Sequence, residues 1–244
     1  MKYIASCSGG KDSVATLILA KMHNEPLNEV VYCEVMFNEN ISGEVPEHRD
    51  FIYNVLKPWV ETELNIPFTI LRSKKTYVSS FYRIISRGDK KGKTLGFAIP
   101  GMCVINRDCK IPPLKQHEKE RGDVIKYVGI AADEPKRLER LTGNKISLLA
   151  KYNMIEKEAM NLCKEFGLLS PIYEFAKRNG CWFCPNMHER ELRHMVINHP
   201  ELFDLLICME KTTENIYRTR LTRTETPSQI KERILRNQQI TIFD

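Results

Sequence analysis

Two groups of residues in this 244-residue chain have types and spacings that do chemistry: one run near the start and two cysteine pairs further on. The run is Ser8-Gly9-Gly10-Lys11-Asp12-Ser13. Its glycine pair lets the backbone approach a ligand closely and take positive φ without a Cβ penalty. Between a strand and a helix, such a loop aims unpaired N–H groups and the positive end of the helix dipole at one point, which suits phosphate. Lys11 adds a mobile positive charge, Ser8 and Ser13 add hydroxyls, and Asp12 offers a carboxylate to Mg²⁺ or to the loop itself. The run lacks the G-x-x-x-x-G-K-[ST] pattern of a Walker-A loop.

The second group is Cys103-x5-Cys109 with Cys181-x-x-Cys184, out of eight cysteines in all. A C-x-x-C pair brings two sulfurs to one metal from a single turn, and a distant pair closes the site once the fold joins them. Four thiolates suit a structural Zn²⁺ or a [4Fe–4S] cluster. His188 is a substitute ligand or the start of a surface helix. Cys7, Cys33 and Cys163 read as packing residues; Cys7 abuts the loop, where a helix terminus can lower a thiol pKa. Cys208 lies in an apolar helical stretch and is expected in the core.

Elements must position these groups. Tyr3–Ala5 reads as a buried strand and Val14–Met22 as the helix after the loop. Val30–Phe37 is nearly continuous in apolar residues, as in a parallel strand covered on both faces. His48–Leu64 has helical spacing, with Pro58 expected to kink or break it. Phe68–Leu71 and Ile125–Ile130 read as strands, Tyr77–Ile85 as a helix, Arg87–Gly96 as an exposed loop and Ile146–Leu149 as extended. Lys136–Thr142 reads as a short helix or turn. Ile155–Phe166 reads as an amphipathic helix closed by Gly167. Arg190–Asn198, Pro200–Thr219 and Pro227–Arg236 read as further helices before a loose end. Strands alternate with helices to about residue 150 and helices dominate afterwards. The expectation is an α/β fold, a doubly wound, mainly parallel sheet over 1–150, with a helical C-terminal portion over 151–244 carrying the C-x-x-C. In such a sheet the loop after the first strand, the Phe37–Glu47 segment and the segment after Gly129 meet at the carboxyl ends of the strands.

Composition is 42% hydrophobic and 28% charged, ordinary for a globular domain. No stretch approaches the roughly 20 apolar residues of a membrane span, and the expected address is the cytoplasm, with no membrane partner. The net charge of +6 suits a polyanion such as a nucleotide or nucleic acid, or simply a solvated basic surface. Arg218, Arg220 and Arg223 form either a docking surface for a partner protein or a solvated face. A homodimer stays open.

The Ser8–Ser13 run is similar to the SGGxDS loop of the PP-loop ATP pyrophosphatases, the adenine nucleotide alpha hydrolase superfamily. Further segments resemble its phosphoadenylyl-sulfate (PAPS) reductase-like family: Gly43-Glu-Val-Pro-Glu47, Lys110-Ile-Pro-Pro-Leu114, Gly129-Ile-Ala-Ala-Asp133-Glu134 with Arg137, and Tyr173 followed by Arg178-Asn-Gly-Cys-Trp-Phe-Cys-Pro185. The resemblance implies an adenine nucleotide, ATP or an adenylyl sulfate-type compound, held by Ser8, Gly9, Gly10, Lys11, Asp12, Ser13, Gly129 and Arg137. It implies cleavage between the α- and β-phosphates with Mg²⁺, Lys11 and Asp12 acting at the phosphates. Asp133, Glu134 and Glu47 would bind Mg²⁺ or handle protons. The acceptor would be a nucleic acid or nucleotide-linked group. Sulfonucleotide reductases of the adenylyl-sulfate type carry a [4Fe–4S] cluster at comparable cysteines, which implies Cys103, Cys109, Cys181 and Cys184 as ligands. Two departures weigh against sulfite release. Ala131 stands where the family has Arg, and no C-terminal E-C-G-x-H element is present. A nucleotide-sensing or nucleic-acid-binding subunit that acts only with a partner is the non-enzymatic alternative.

Overall fold

Alternation within short apolar strands builds the central sheet. Ile4, Val31 and Val124 face one side, with Leu71 and Leu114, whereas Ala5, Val30, Tyr32 and Tyr127 face the other. The computed structural model describes residues 1–101, 103–212 and 214–240, with 239 and 240 in backbone only. Its main sheet has five strands in the order Phe68–Arg72, Glu29–Glu34, Lys2–Ser6, Val124–Val128, Lys145–Ile146, each pair parallel. The fold is α/β with a mainly parallel sheet, as expected. The chain starts at the centre, winds to one edge, then returns to the other side of Lys2–Ser6. The order therefore reverses between Lys2–Ser6 and Val124–Val128, the kind of position at whose carboxyl ends open α/β sheets bind ligands.

Helix Lys11–Met22 is apolar nearly all round, and Val14, Ala15, Leu17 and Ile18 are fully buried. It lies between the sheet and the helices Leu148–Lys151 and Glu156–Glu165, so both of its sides are covered. It begins at Lys11 rather than Val14. Lys11, Asp12 and Ser13 thus form its first turn and hold helical geometry. The helix from Pro46 to Leu64 passes through Pro58 unbroken. Its backbone widens to π turns at Ile52–Leu56 and Val60–Leu64, which absorb the missing amide.

Two compact units divide the chain, and neither is continuous. The first is Met1–Glu34, Glu44–Arg72 and Pro112–Asn179; the second is Val35–Gly43, Ser73–Ile111 and Gly180–Asp244. Residues 151–179, assigned by sequence to the C-terminal portion, cluster with the first unit because Glu156–Glu165 packs on Lys11–Met22.

The second unit holds helices Tyr77–Phe81, Glu189–Asn198, Pro200–Lys211 and Pro227–Ile240, the last three packed on one another. A small parallel sheet pairs Thr94–Gly96 with Ile216–Arg218. Gly96, at φ +81, has no room for a Cβ, which would lie 2.3 Å from the Arg218 carbonyl oxygen. This sheet corrects two expectations: Arg87–Gly96 is a loop only to Lys93, and the helix expected to Thr219 stops at Lys211. Tyr77–Phe81 also ends before Ile85, and Leu148–Lys151 is helical where an extended segment was expected. The loose end expected after Arg236 lies in part outside the described residues; helix runs to Ile240. No helix among the described residues is long and apolar enough to cross a membrane.

One buried carboxylate ties the first unit together. Burial alone would raise the Glu29 pKa, but Arg121 (2.9 and 3.0 Å), Thr69 and His117 outweigh it and lower it from 4.5 to about 2. A carboxylate with a depressed folded pKa stabilises fully above its unfolded value and loses that contribution as pH falls through its folded value. The expected advantage of the parent over Glu29→Gln is about 2–3 kcal/mol near neutrality. It should shrink as pH falls from 4.5 towards 2, as checked by urea unfolding across that range.

Candidate functional site

The Ser8–Ser13 loop sits at the carboxyl end of Lys2–Ser6, beside the reversal in strand order. Gly9 takes φ +74, and a Cβ there would meet His48 and Ile52 at 2.9 Å. A Cβ on Gly10 would lie 2.8 Å from Asn179 Oδ1 and 3.2 Å from the Tyr173 hydroxyl. The glycines are needed because neighbouring side chains close directly on the loop. His48 Nε2 lies 3.0 Å from the Ser8 carbonyl oxygen, and Asn179 Nδ2 donates to the same oxygen at 2.9 Å. His48 Nδ1 lies 2.8 Å from the Ser170 hydroxyl, which fixes the ring. The loop's hydroxyls serve the loop itself: Ser13 Oγ donates to the Gly10 carbonyl at 2.8 Å and accepts from the Ser8 amide at 3.2 Å.

Lys11 is almost buried, and its amide donates to the Tyr173 hydroxyl at 2.8 Å. Burial alone would lower its pKa, yet the Glu156 and Asp12 carboxylates raise it, so the ammonium stays charged. Its Nζ is ion-paired with Glu156 and lies 3.4 Å from Asp12 Oδ2. Asp12 Oδ1 is buried with no hydrogen-bond partner. Burial raises the Asp12 pKa, Lys11 partly offsets that, and the Glu156 and Glu134 charges add to it. A buried, unpartnered carboxylate oxygen among other carboxylates fits a divalent cation.

The segment after Val128 also reaches the loop. A Cβ on Gly129 would lie 2.6 Å from the Ser13 amide nitrogen and 2.7 Å from the Asp12 carbonyl carbon. Backbone cannot give way as a side chain can, so Gly129→Ala is expected to displace the first helical turn and destabilise the fold by about 1–3 kcal/mol, measured by urea unfolding. Glu134 accepts from the Ala131 amide at 3.1 Å and is clamped by Arg137 Nη1 at 2.6 Å. Arg137 is exposed and positions Glu134, with Nη2 3.5 Å from the Gly129 carbonyl. Asp133 Oδ1 accepts from the Glu156 amide at 3.1 Å and so anchors the start of the helix that carries Glu156. Glu47 lies in the first turn of Pro46–Phe51.

Sequence pattern does not mark His48, Glu156, Ser170, Tyr173 and Asn179 as residues of this site. A signal exists for two of them: Tyr173 and Asn179 lie just before the C-x-x-C motif. Cys7 is raised in pKa by burial rather than lowered by the helix terminus, and Cys163 is pushed up to about 12 by burial. Cys163 Sγ donates to the Lys11 carbonyl at 3.2 Å.

Cys103, Cys109, Cys181 and Cys184 all fall in the second unit, as does Tyr77. This ring is buried, stacks on Phe183 at 3.9 Å, and its hydroxyl has no hydrogen-bond partner. Burial raises its pKa, and Cys181, Cys184 and Cys103, within electrostatic range, raise it further. Cys109 is fully buried in the π turn Asn106–Lys110, beside Ser80 and within electrostatic range of Cys103. The Asn106 amide donates to Cys103 Sγ at 3.3 Å, and the Cys184 amide to the Cys181 carbonyl at 3.0 Å. Trp182 and Phe37 complete an apolar wall, with their rings 4.7 Å apart and the Trp182 Nε1 donating to the Ser42 carbonyl. Cysteine sulfur is the donor chemistry that a zinc ion or an iron–sulfur group takes. His188 is exposed at the N-terminal cap of Glu189–Asn198. Cys208, expected in the core, is exposed, because Phe203, Leu206 and Met209 take the buried face of its helix.

A scan against protein-family models finds no match, and a search of curated proteins finds none. Among solved structures, the chain is similar to the U34-tRNA thiolase NcsA from Methanococcus maripaludis with its [4Fe-4S] cluster. Identity is 17% and the TM-score 0.42, over 98% of this chain and 72% of that one. At that level the likeness decides neither fold nor activity.

Proposed function

We propose that this chain is a PP-loop nucleotide-binding enzyme that holds ATP with Mg²⁺ at Ser8–Ser13 and cleaves between the α- and β-phosphates. One observation carries the reading: the buried, unpartnered Asp12 Oδ1 beside the buried Lys11 ammonium, at the reversal in strand order. Lys11 would exchange Glu156 for the β- and γ-phosphates, since Glu156 is half exposed and released to water at little cost. Asp12, with Glu134 near it, would hold Mg²⁺, which when bound withdraws charge from the phosphates. Tyr173 and Asn179 hold the loop backbone, so its dipoles need not reorganise during reaction. An acceptor oxygen attacks the α-phosphorus and loses its proton to water. The bond from that phosphorus to the bridging oxygen breaks, and pyrophosphate leaves with the electron pair. Cys103, Cys109, Cys181 and Cys184, all in the second unit, would hold a [4Fe–4S] cluster.

The test incubates the purified chain with ATP and Mg²⁺, alone and with nucleic acid, and separates the products. AMP or adenylylated acceptor with pyrophosphate supports the reading. ADP with phosphate, or no bound nucleotide by calorimetry, overturns it. Adenylyl sulfate runs in parallel with a dithiol reductant, and sulfite from it, without pyrophosphate from ATP, replaces this reading with the reductase one.

A further inference from the structure

The second unit has a basic surface that the nucleotide loop does not use. Residues 83–93 carry Arg83, Arg87, Lys90, Lys91 and Lys93 against Asp89 alone, and residues 216–223 carry Arg218, Arg220 and Arg223 with no carboxylate. Eight basic side chains against one acid make a net +7, more than the +6 of the whole chain. The basic character of the protein is therefore concentrated in two stretches, and the fold joins them. Two cavities, of about 650 and 570 Å³, share Tyr217 and Arg218 in their walls. Arg220 and Arg223 line the first, and Arg83, Arg87 and Lys90 line the second.

Two details point to an anion. Arg218 Nε and Nη1 are buried with no acceptor, which is costly for a charged donor. Burial lowers the Arg218 pKa, and the like charge of Arg83, itself 3.4 Å from Asp108 Oδ2, lowers it further, so the two guanidinium groups repel each other. A phosphate would relieve both. A third detail says what the anion is attached to. Tyr217 is 41% exposed, with Lys90 Nζ 5.8 Å and the Arg218 guanidinium carbon 5.4 Å from its ring centre. An exposed ring among cations is a platform for an unpaired base, with phosphates on either side. A duplex hides its bases from such a ring, and an acidic peptide has no use for it.

We infer that Tyr217, Arg218, Arg220 and Arg223, with Arg83, Arg87 and Lys90, bind single-stranded nucleic acid, its phosphodiesters in the two cavities and a base on Tyr217. This site is separate from the ATP reading and does not rest on it.

The test is fluorescence anisotropy with labelled single strands of about 12 nucleotides, DNA and RNA, and a duplex of equal length, over a range of salt. Single strands should bind more tightly than the duplex. Tyr217→Ala should weaken them about tenfold with the salt slope unchanged. The exposed pair Arg220→Gln/Arg223→Gln should flatten the slope by about 1.4, at about 0.7 for each phosphate no longer neutralised. Both variants should bind ATP as the parent does, and Asp12→Asn should bind the strands as the parent does, so either site can fail alone. Unchanged strand binding in both surface variants overturns the inference. A duplex bound as tightly as the single strand, with Tyr217→Ala silent, also overturns it.

Discussion

Asp12→Asn is expected to lower pyrophosphate release from ATP and Mg²⁺ by about 10²–10³-fold while leaving the protein at least as stable as the parent. The two effects have one cause. Asn keeps the shape of the side chain and removes its charge. In the ligand-free protein that charge is a burden: burial raises the Asp12 pKa despite Lys11, and Glu156 and Glu134 repel it. A group whose folded pKa lies above its unfolded value destabilises the fold at neutral pH in its ionised form. Removing the charge therefore relieves the folded state. With nucleotide and cation present the balance inverts, because the unpartnered Oδ1 gains a positive partner and Lys11 can turn to phosphate. A residue kept at the expense of stability is the signature of a site rather than of packing. The check is a coupled pyrophosphate assay beside thermal unfolding of both proteins. Equal release by both would remove Asp12 from the mechanism. Loss of release together with a lower melting temperature would make it a structural residue.

What the chain alone reveals divides by range of interaction. The Ser8–Ser13 loop is six consecutive residues at a strand–helix junction, so local chemistry suffices to find it. The helix start is misplaced by three residues because Lys11, Asp12 and Ser13 are polar, while helical periodicity is seen through apolar residues. His48, Glu156, Ser170, Tyr173 and Asn179 reach the loop through tertiary folding alone. Hydrogen bonds to Ser8 and Lys11 span 40 to 171 positions, and no pattern in one sequence encodes such pairs. Asp133 and Arg137 show the converse. Their types suit catalysis, but the fold spends Asp133 on a helix start and Arg137 on Glu134. The Thr94–Gly96 and Ile216–Arg218 strands are three residues each, too short for alternation to register. Cys208 illustrates an ambiguity of apolar helices: Leu205-Leu-Ile-Cys-Met209 looks buried throughout, yet one face of the turn is open.

Replacing both Cys181 and Cys184 by Ala is expected to abolish iron and labile sulfide in anaerobically purified protein and to lower stability by several kcal/mol. Metal bound to native thiolates stabilises by its binding free energy, so ligand loss appears directly in unfolding. Tyr77 is the reason to expect more than loose thiol binding. Its hydroxyl is buried without a partner and within electrostatic range of Cys103, Cys181 and Cys184, and a buried donor without an acceptor is uncommon in a native core. The rings of Phe37, Trp182 and Phe183 pack beside it, and an apolar shell of that kind would tune a sulfur-bound metal. Tyr77→Phe makes the separating control. If the hydroxyl serves the bound group, its loss should leave the iron content intact but shift the visible spectrum or the reduction potential. If it is only an unsatisfied donor, Phe should raise stability and leave the spectrum unchanged. Parent protein that is colourless and carries zinc would replace the cluster with a structural ion at the same cysteines. Parent protein without metal, and as stable as the double alanine variant, would leave the thiols as packing. The three outcomes differ in colour, in elemental content and in unfolding free energy, so a single preparation of the parent and the two variants distinguishes them.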